Sequence, residues 1–148
     1  MYNKILIATD GSELAERAVA HGLSLAKEQN ADVVIVTVTE SWLASEMASQ
    51  MRVGTVNPIE HLEKTRAVWA EKVLTAAGNQ ANELGINCET VHIKDQHPAI
   101  GILDAAKSKQ SELIVMASHG RRGLNKILLG SIANEVVSQS AVPVLIYR

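Results

Sequence analysis

Two short segments of the chain carry residue types that suit the binding of an anion. The first, Thr9-Asp10-Gly11-Ser12, follows an apolar run, and the second lies between Ser118 and Ser131. Glycines let backbone N–H groups approach a phosphate closely because no Cβ stands in the way. Gly130-Ser131 also precedes a predicted helix, whose first turn has unpaired N–H groups and the positive end of a dipole. The pattern leaves two interpretations, a phosphate site or a glycine-rich turn followed by an ordinary serine cap.

Polar side chains within the second segment extend the anion-binding interpretation. Arg121 and Arg122 either contact a phosphate or solvate the loop, and the neighbouring anion site favours contact. His119 lies inside the glycine-rich loop, so it is the one histidine that we associate with the site. The other histidines lack metal-ligand spacing with Cys or carboxylates and are expected to be surface or satisfied residues: His21, His61, His92 and His97.

The common nucleotide-binding motifs are absent from the sequence. It contains no G-x-x-x-x-G-K-[ST] segment, and no G-x-G-x-x-G segment follows the first predicted strand. A nucleotide site in this chain would therefore belong to neither of those two classes.

Apolar runs without polar alternation predict the strands that must position these segments. Such runs indicate strands covered on both faces, as in a parallel sheet with helices above and below. A more polar stretch, Ile86 to Ile93, is expected to be an edge strand. The apolar runs are Lys4 to Thr9, Ala31 to Thr39, Leu113 to Met116 and Val144 to Ile146.

Helical periodicity fills the intervals between the strands. Ser12 is the expected N-cap of the first helix, and Asn57, Pro58 and Glu60 predict a capped start for the second, which should end at Gly85. A third helix should begin near Pro98 and a fourth after Ser131. The residues expected to face the core are Leu14, Ala18, Gly22 and Leu25, then Leu62, Trp69, Val73 and Ala76, then Ile100 and Leu103, and finally Ile132, Ala133, Val136 and Val137.

The alternation of strands and helices predicts a doubly wound α/β sheet, because parallel neighbours need helical crossovers. Ligands of such sheets lie beyond the carboxyl ends of the strands, where the strand order reverses. The two anion-binding segments follow the first and fourth predicted strands. The long connection 40–56 is expected to be either a lid over a ligand or a loosely ordered surface loop.

Composition limits the class of protein. With 148 residues, 47% hydrophobic residues, 20% charged residues and a net charge of −2, we expect one globular domain over residues 1–148. The near-neutral charge gives no sign of nucleic-acid or anionic-membrane binding, and no apolar run is long enough to span a bilayer. Cys88 cannot form an internal disulfide, which favours a reducing cytoplasm. We expect it to be a small core residue rather than a nucleophile.

Both segments resemble the universal stress protein family. Lys4-Ile5-Leu6-Ile7-Ala8-Thr9-Asp10-Gly11-Ser12 carries the resemblance at the start, and Val115 to Gly123, Gly130-Ser131 and Val142 to Ile146 carry it at the end. The family's ATP-binding branch has glycine, two residues, glycine, nine residues, glycine, then Ser or Thr. Gly120 and Gly130-Ser131 match that pattern, whereas Ala117 replaces the first glycine. The branch without nucleotide generally lacks the later glycines.

The resemblance implies an adenine nucleotide alpha hydrolase-like fold, a five-stranded parallel sheet in the order 3-2-1-4-5 that binds ATP, AMP or ADP. Mg²⁺ or Mn²⁺ would accompany the phosphates, and Asp10 would contact the ribose or the metal, unless it only caps the turn. It also implies a homodimer, or a higher oligomer, through the last strand, Val142 to Tyr147. The resemblance places Ala8, Thr9, Asp10 and Val38 at the base and ribose, Met116, Ala117, His119 and Gly120 alongside the nucleotide, and Gly130, Ser131, Ile132 and Ala133 at the phosphates. Arg121 joins this set through the anion-binding argument above.

Two classes of function remain after these arguments. One is a stress-response regulator whose nucleotide state changes its assembly or its protein partner, which the sequence does not identify. The other is an enzyme that hydrolyses the nucleotide slowly, although only His119 and Asp10 offer a base. A nucleotide-free dimeric member of the family is a further alternative. A phosphorylated receiver domain would need a lysine at the end of the last strand, where this chain has Tyr147-Arg148.

Overall fold

A parallel sheet of five strands organises the chain. The computed structural model describes residues 1–41, 43–121 and 128–148, so Trp42, Arg122 and Gly123 lie outside the described residues. The elements in chain order are β1 Lys4–Ala8, α1 Glu13–Gln29, β2 Asp32–Thr39, α2 Ala44–Arg52, α3 Pro58–Glu83, β3 Cys88–Lys94, α4 Pro98–Ser108, β4 Leu113–Ala117, α5 Ser131–Gln139 and β5 Val144–Tyr147.

The strand order is β3-β2-β1-β4-β5 with every neighbouring pair parallel, which confirms the predicted topology and the edge position of β3. The order reverses between β1 and β4, since the chain leaves β1 toward β2 on one side and returns to β4 on the other. The carboxyl ends of β1 and β4 are therefore adjacent, and both predicted anion-binding segments begin there.

Two hydrophobic clusters cover the two faces of the sheet. On one face α1 and α3 bury Ile5, Ile7 and Ile35, and on the other α4 and α5 bury Leu6 and Val36. Each central strand thus sends alternate side chains into opposite clusters, which explains its continuous apolar sequence. No helix of the described chain is both long and apolar enough to cross a membrane.

The helical faces predicted from the sequence need correction. In α3 the fully buried residues are Ala70, Leu74, Ala77 and Ala81, while Trp69 and Val73 are only partly buried and Ala76 is exposed. Small residues face the sheet because they let the helix backbone approach it. Other predicted core positions divide into two groups. Leu62 is only partly buried, and Ile100 and Val137 are exposed. The partly buried residues that do pack against the hydrophobic clusters, as predicted, are Leu14, Leu25, Leu103 and Ile132.

The starts of two helices also differ from the sequence prediction. Asn57 has a φ of 54° and makes no side-chain capping hydrogen bond, so the expected capping box with Glu60 does not form. Glu60 pairs with Lys64 at 2.9 Å. Gly130, rather than Ser131, occupies the N-cap position of α5.

The connection 40–56 contains the helix α2, which the sequence did not predict. Glu46 of α2 accepts hydrogen bonds from Arg66 of α3 at 2.9 and 3.1 Å. The same arginine donates to the carbonyl oxygen of Glu40, so α2 is tied to α3 by one side chain.

Candidate functional site

The loop after β1 is closed by one hydrogen bond to β2 and by hydrogen bonds between near neighbours. The N–H of Thr9 donates to the carbonyl of Val36 at 2.9 Å, which extends the pairing with β2 past the end of β1. Asp10 Oδ1 then accepts from the N–H of Ser12 at 3.0 Å, and Ser12 Oγ accepts from the N–H of Ala15 at 3.3 Å. Gly11 has a φ of +74°, the left-handed conformation that glycine adopts without strain. This turn directs the Asp10 carboxylate toward β4.

The loop after β4 is closed across a longer stretch of chain. The N–H of Gly130 donates to the carbonyl of Ser118 at 2.7 Å, and the N–H of Ser118 donates to Tyr147 of β5 at 2.8 Å. A Cβ at position 130 would lie 2.9 Å from that carbonyl oxygen and 3.2 Å from the Cα of His119. Gly130 is thus required by close approach, since its φ of −60° is open to any residue.

Asp10 joins the two loops. Its Oδ2 accepts a hydrogen bond from the N–H of Arg121 at 2.8 Å. Gly120 lies directly against the same carboxylate, and a Cβ there would overlap Oδ2. A carboxylate held by backbone N–H groups on both oxygens is fixed in place beside the strand ends. The predicted residues Asp10, Gly120 and Arg121 are therefore brought together.

Trp69 contacts the candidate site, although its helical position predicted a core residue. Its indole lies under the guanidinium of Arg121, 4.3 Å from the ring centroid, a cation–π geometry. It also lines a cleft of about 240 Å³ between α1 and α3, whose floor includes Thr9 and Gly11. The large aromatic side chain in an alanine-rich helix was the available signal, because such a residue facing away from the sheet must cover something else.

The N-terminus of α5 points at the same edge of the sheet. Gly130 occupies the N-cap and its carbonyl accepts from the N–H of Asn134 at 2.9 Å, but glycine has no side chain that can cap the first turn. Because a helical N–H bonds to the carbonyl four residues earlier, the N–H groups of Ser131, Ile132 and Ala133 have no partner within α5. Ser131 is exposed, so its hydroxyl is accessible beside them.

The remaining predicted residues lie at the strand ends but divide between the two faces. Ala8 and Met116 are buried in the α4/α5 cluster, and Val38 packs against that cluster. Ala117 points to the other face, where its methyl group packs on Ala15 and Ala18 of α1. His119 is partly buried, with its Nδ1 3.0 Å from Oγ of Ser118.

The pKa values of Cys88 and His92 are shifted mainly by burial. Burial is the main cause that raises the pKa of the Cys88 thiol, which makes the thiolate scarce at neutral pH. Burial also lowers the pKa of His92, with a smaller effect from Lys94, and its Nε2 lies 2.8 Å from Thr39 Oγ1. In the three described ranges no three His, Cys, Asp or Glu side chains cluster closely enough to hold a metal ion.

The architecture defines a doubly wound α/β protein with a glycine-containing loop and an open helix N-terminus at the topological switch point. The chain matches the model of the universal stress protein family over residues 1–148. It is 37% identical over 152 residues to universal stress protein YxiE of Bacillus subtilis, covering 100% of both chains. The chain belongs to the universal stress protein family.

Solved structures agree with that assignment. The structure of MJ0577 from Methanocaldococcus jannaschii superposes with a TM-score of 0.81 at 26% identity, covering 99% of this chain and 96% of that one. A universal stress protein from Archaeoglobus fulgidus in complex with dAMP superposes with a TM-score of 0.72 at 20% identity, covering 99% and 98%. The second likeness shows the same fold in a protein that holds an adenine nucleotide.

Proposed function

We propose that this protein binds an adenine nucleotide, ATP in preference, and acts as a cytoplasmic stress-response regulator. The observation that carries the proposal is the side-chain-free N-cap of α5 beside the closed loop after β4. Its first-turn N–H groups and the Ser131 hydroxyl form a set of donors suited to phosphate oxygens. The dAMP complex of a relative with this fold supports an adenine nucleotide as the ligand.

The proposed pose follows from the positions of the side chains around the β1–β4 junction. The base and ribose would lie near Ala8, Thr9, Asp10 and Val38, with the Asp10 carboxylate held at the end of β1 by the N–H of Arg121. The phosphates would extend past Gly120 to Ser131, where Arg121 adds a positive charge. Met116, Ala117 and His119 would flank the nucleotide, with Ala117 contributing its backbone because its methyl group faces α1.

A divalent cation would accompany the phosphates, and Mg²⁺ and Mn²⁺ are the candidates. The described part of the chain offers no cluster of three ligating side chains. Mg²⁺ is commonly held by one or two carboxylates together with substrate phosphates and water. Each Asp10 oxygen accepts one backbone hydrogen bond and keeps a second acceptor site, so Asp10 fits that role. The cation would neutralise phosphate charge that Arg121 alone cannot balance.

Mass spectrometry under native conditions is the first test of the proposed ligand. The purified protein should carry ATP or another adenine nucleotide, and calorimetric titration of stripped protein should show ATP binding in preference to GTP. A stripped, folded protein that binds neither AMP nor ATP would refute the proposal and leave a nucleotide-free dimer as the better description.

Slow hydrolysis is the alternative function that the same site allows. His119 is turned toward Ser118, and both Asp10 oxygens accept backbone hydrogen bonds, so neither is poised to activate water. We therefore expect phosphate release far below about 10 s⁻¹, the median of enzymes. Rapid steady release that is lost in His119→Ala or Asp10→Asn would instead establish an enzyme.

We also propose that the chain is one domain that forms a homodimer through β5. The carbonyls of Pro143 and Tyr147 accept hydrogen bonds from the N–H groups of Ile114 and Ser118. Because backbone groups of successive residues in a strand point to opposite sides, the N–H and carbonyl groups of Val144 and Ile146 point to the open edge of the sheet. Ile146→Pro removes an outward donor while sparing the β4–β5 ladder. Light scattering should show a dimer for wild type and a monomer for the variant. A wild-type monomer at micromolar concentration would contradict the proposal.

A further inference from the structure

A cleft between α1 and α3 lies on the face of the sheet that the proposed nucleotide pose leaves largely unused. Its volume is about 240 Å³, and Thr9 and Gly11 form its floor at the end of β1. Ala8 and Met116, which the nucleotide would contact, belong to the opposite α4/α5 face. Pockets for drug-sized ligands measure about 300–1,000 Å³, so this cleft has room for a smaller molecule.

The two walls of the cleft carry opposite charges. Glu16 lines it from α1 and Lys72 from α3, and neither forms an ion pair with a described residue. Their own helices offer no partner, since the positions three and four residues away hold no opposite charge. Other exposed charges of α1 are paired in that way, as Glu13 is with Arg17. The cleft therefore presents one carboxylate and one ammonium group to a common space.

Apolar side chains line the space between the two charges. Val19 of α1 and Val73 and Ala77 of α3 contribute to its walls. Val19 and Ala77 also belong to the hydrophobic cluster that covers this face of the sheet, so the core fixes their positions. Trp69 and Gln80 are the first and last residues of α3 that line the cleft, which corresponds to a length of about 16 Å. An aliphatic or aromatic group can lie along this surface.

Two neighbouring threonines interrupt the apolar face of the sheet at the floor of the cleft. Thr9 follows β1 and Thr37 lies on β2, each one residue beyond the pair formed by Ala8 and Val36. Thr9 Oγ1 accepts from the N–H of Gly11 at 3.2 Å, so its O–H can still donate. The hydroxyl of Thr37 is buried and has no partner within the described ranges. Thr9 thus offers the cleft a hydrogen-bond donor, with a second hydroxyl beside it.

We propose that this cleft is a second ligand site, which binds a small zwitterion of the α-amino acid type. The ammonium group of the ligand pairs with Glu16, and its carboxylate pairs with Lys72 and the Thr9 hydroxyl. Its apolar side chain packs against Val19 and Val73. A ligand with a single charge can pair with only one wall, so the site favours molecules that carry both charges. The inference does not depend on the nucleotide proposal, because the two sites share only Thr9.

Titration with amino acids tests the site in protein that carries no nucleotide. Calorimetry should show that L-leucine and L-phenylalanine bind with dissociation constants below about 1 mM. In a Trp42→Phe background Trp69 is the only tryptophan, and both ligands should change its emission because it lines the cleft. Absence of binding up to about 10 mM, or binding that leaves the Trp69 emission unchanged, would overturn the proposal.

Singly charged analogues of leucine test whether both walls take part. Isocaproate keeps the apolar chain and the carboxylate, whereas isoamylamine keeps the apolar chain and the ammonium group. Each has lost one charged partner, so each should bind at least about fivefold more weakly than L-leucine. An analogue that binds as tightly as L-leucine would show that the site does not recognise a zwitterion.

Variants of the two charged residues assign each charge to its wall. Glu16→Gln and Lys72→Met should each weaken L-leucine binding by about three- to tenfold. Glu16→Gln should leave isocaproate affinity unchanged, and Lys72→Met should leave isoamylamine affinity unchanged, because those ligands lack the group that the lost charge would pair with. Glu13→Gln and Lys64→Met are the matched controls, since both charges are exposed on the same two helices and pair elsewhere. A loss of L-leucine affinity in the controls equal to that in the cleft variants would refute the assignment.

A variant that fills the cleft separates this proposal from the nucleotide site. Ala76 is an exposed residue of α3 that lines the cleft, so Ala76→Leu should weaken L-leucine binding at least about tenfold with the fold retained. Thr75→Leu is the control, because Thr75 is exposed on α3 outside the cleft. Unchanged L-leucine affinity in folded Ala76→Leu would overturn the proposal.

The outcomes for wild type distinguish the two proposals. If wild type binds ATP but neither amino acid, the second site is refuted and the proposed function stands. If it binds the amino acids but neither AMP nor ATP, the proposed function fails and the second site stands.

Discussion

The loops after β1 and β4 both place residues at the β1–β4 junction, but different kinds of contact hold each loop in position. The first is stabilised by contacts two or three residues apart, from Ser12 to Asp10 and from Ala15 to Ser12. The second depends on partners that are distant in sequence, since Arg121 binds Asp10 across 111 positions and Gly130 binds Ser118. The first loop is part of the scaffold, whereas the second is assembled only when the sheet brings its partners together.

The helices that follow these loops show the same contrast. Ser12 caps α1 with its own hydroxyl, which satisfies one of the unpaired N–H groups of the first turn. The N-cap of α5 is Gly130, which leaves the corresponding donors to solvent or to a ligand. One N-terminus is thus used for stability and the other is kept available for binding. The two glycines differ likewise, because Gly11 needs its left-handed φ and Gly130 needs only the absence of a Cβ.

Gly11→Ala should have the largest effect, and it should act on stability. Its Cβ would lie 2.7 Å from Val73 Cγ2 in addition to the strain of φ +74°, so we expect a loss of about 2–4 kcal/mol in the free energy of unfolding. Gly85→Ala is the matched control, since φ is +70° with open space around it. In urea unfolding, the free energy of unfolding of this control should fall by only about 1–2 kcal/mol. Equal losses of unfolding free energy in the two variants would show that the Val73 side chain moves aside at no energetic cost.

Gly130→Val should act on binding. The new side chain would displace the Ser118 carbonyl or the first turn of α5, so ATP affinity should fall by at least about tenfold, or 1.4 kcal/mol, with the fold retained. Titration calorimetry measures the change, and circular dichroism checks the fold. Gly85→Ala serves again as a destabilised protein that should keep its affinity. Unchanged ATP affinity in folded Gly130→Val would place the phosphates elsewhere.

The two serines at the helix starts should behave oppositely. Ser12→Ala removes the α1 cap and should cost about 1 kcal/mol of stability without changing ATP affinity. Ser131→Ala should leave the stability of the unliganded protein unchanged but weaken ATP binding by about two- to tenfold, the value of one hydrogen bond. Ser138→Ala, at the far end of α5, is the control for both measurements. A stability loss in Ser131→Ala with unchanged ATP affinity would mean that Ser131 serves only the helix.

Ala117→Gly should have the smallest effect on the nucleotide. The Ala117 methyl group packs on α1, and its backbone has a negative φ, so alanine is neither strained nor an obstacle there. We expect ATP affinity to change by less than about tenfold, while the lost methyl costs about 1 kcal/mol of stability. Calorimetric titration of wild type and of Ala117→Gly with ATP measures the difference. Tight binding only in the glycine variant would mean that the methyl blocks the site.

Much of the fold followed from local patterns, and the errors have a common cause. Apolar runs predicted β1, β2, β4 and β5, because burial on both faces leaves no room for polar alternation, whereas the polar residues of β3 predicted an edge strand. The faces of the helices were predicted less well, since large residues such as Trp69 and Ile100 were expected to be buried, whereas alanines contact the sheet. The helix in 44–52 was missed because short polar segments have weak periodicity and α2 is secured by the distant Arg66.

The sequence by itself determined the Gly11 turn and the Ser12 cap, because these depend on neighbours within a few residues, and the family resemblance supplied the strand order. Only the tertiary structure decided which face Ala117 occupies and that α5 begins with an uncapped glycine. It also decided that Arg121 lies between Asp10 and Trp69. Those three residues are far apart in the chain, and no local periodicity encodes a contact that arises only when β1, α3 and β4 pack together.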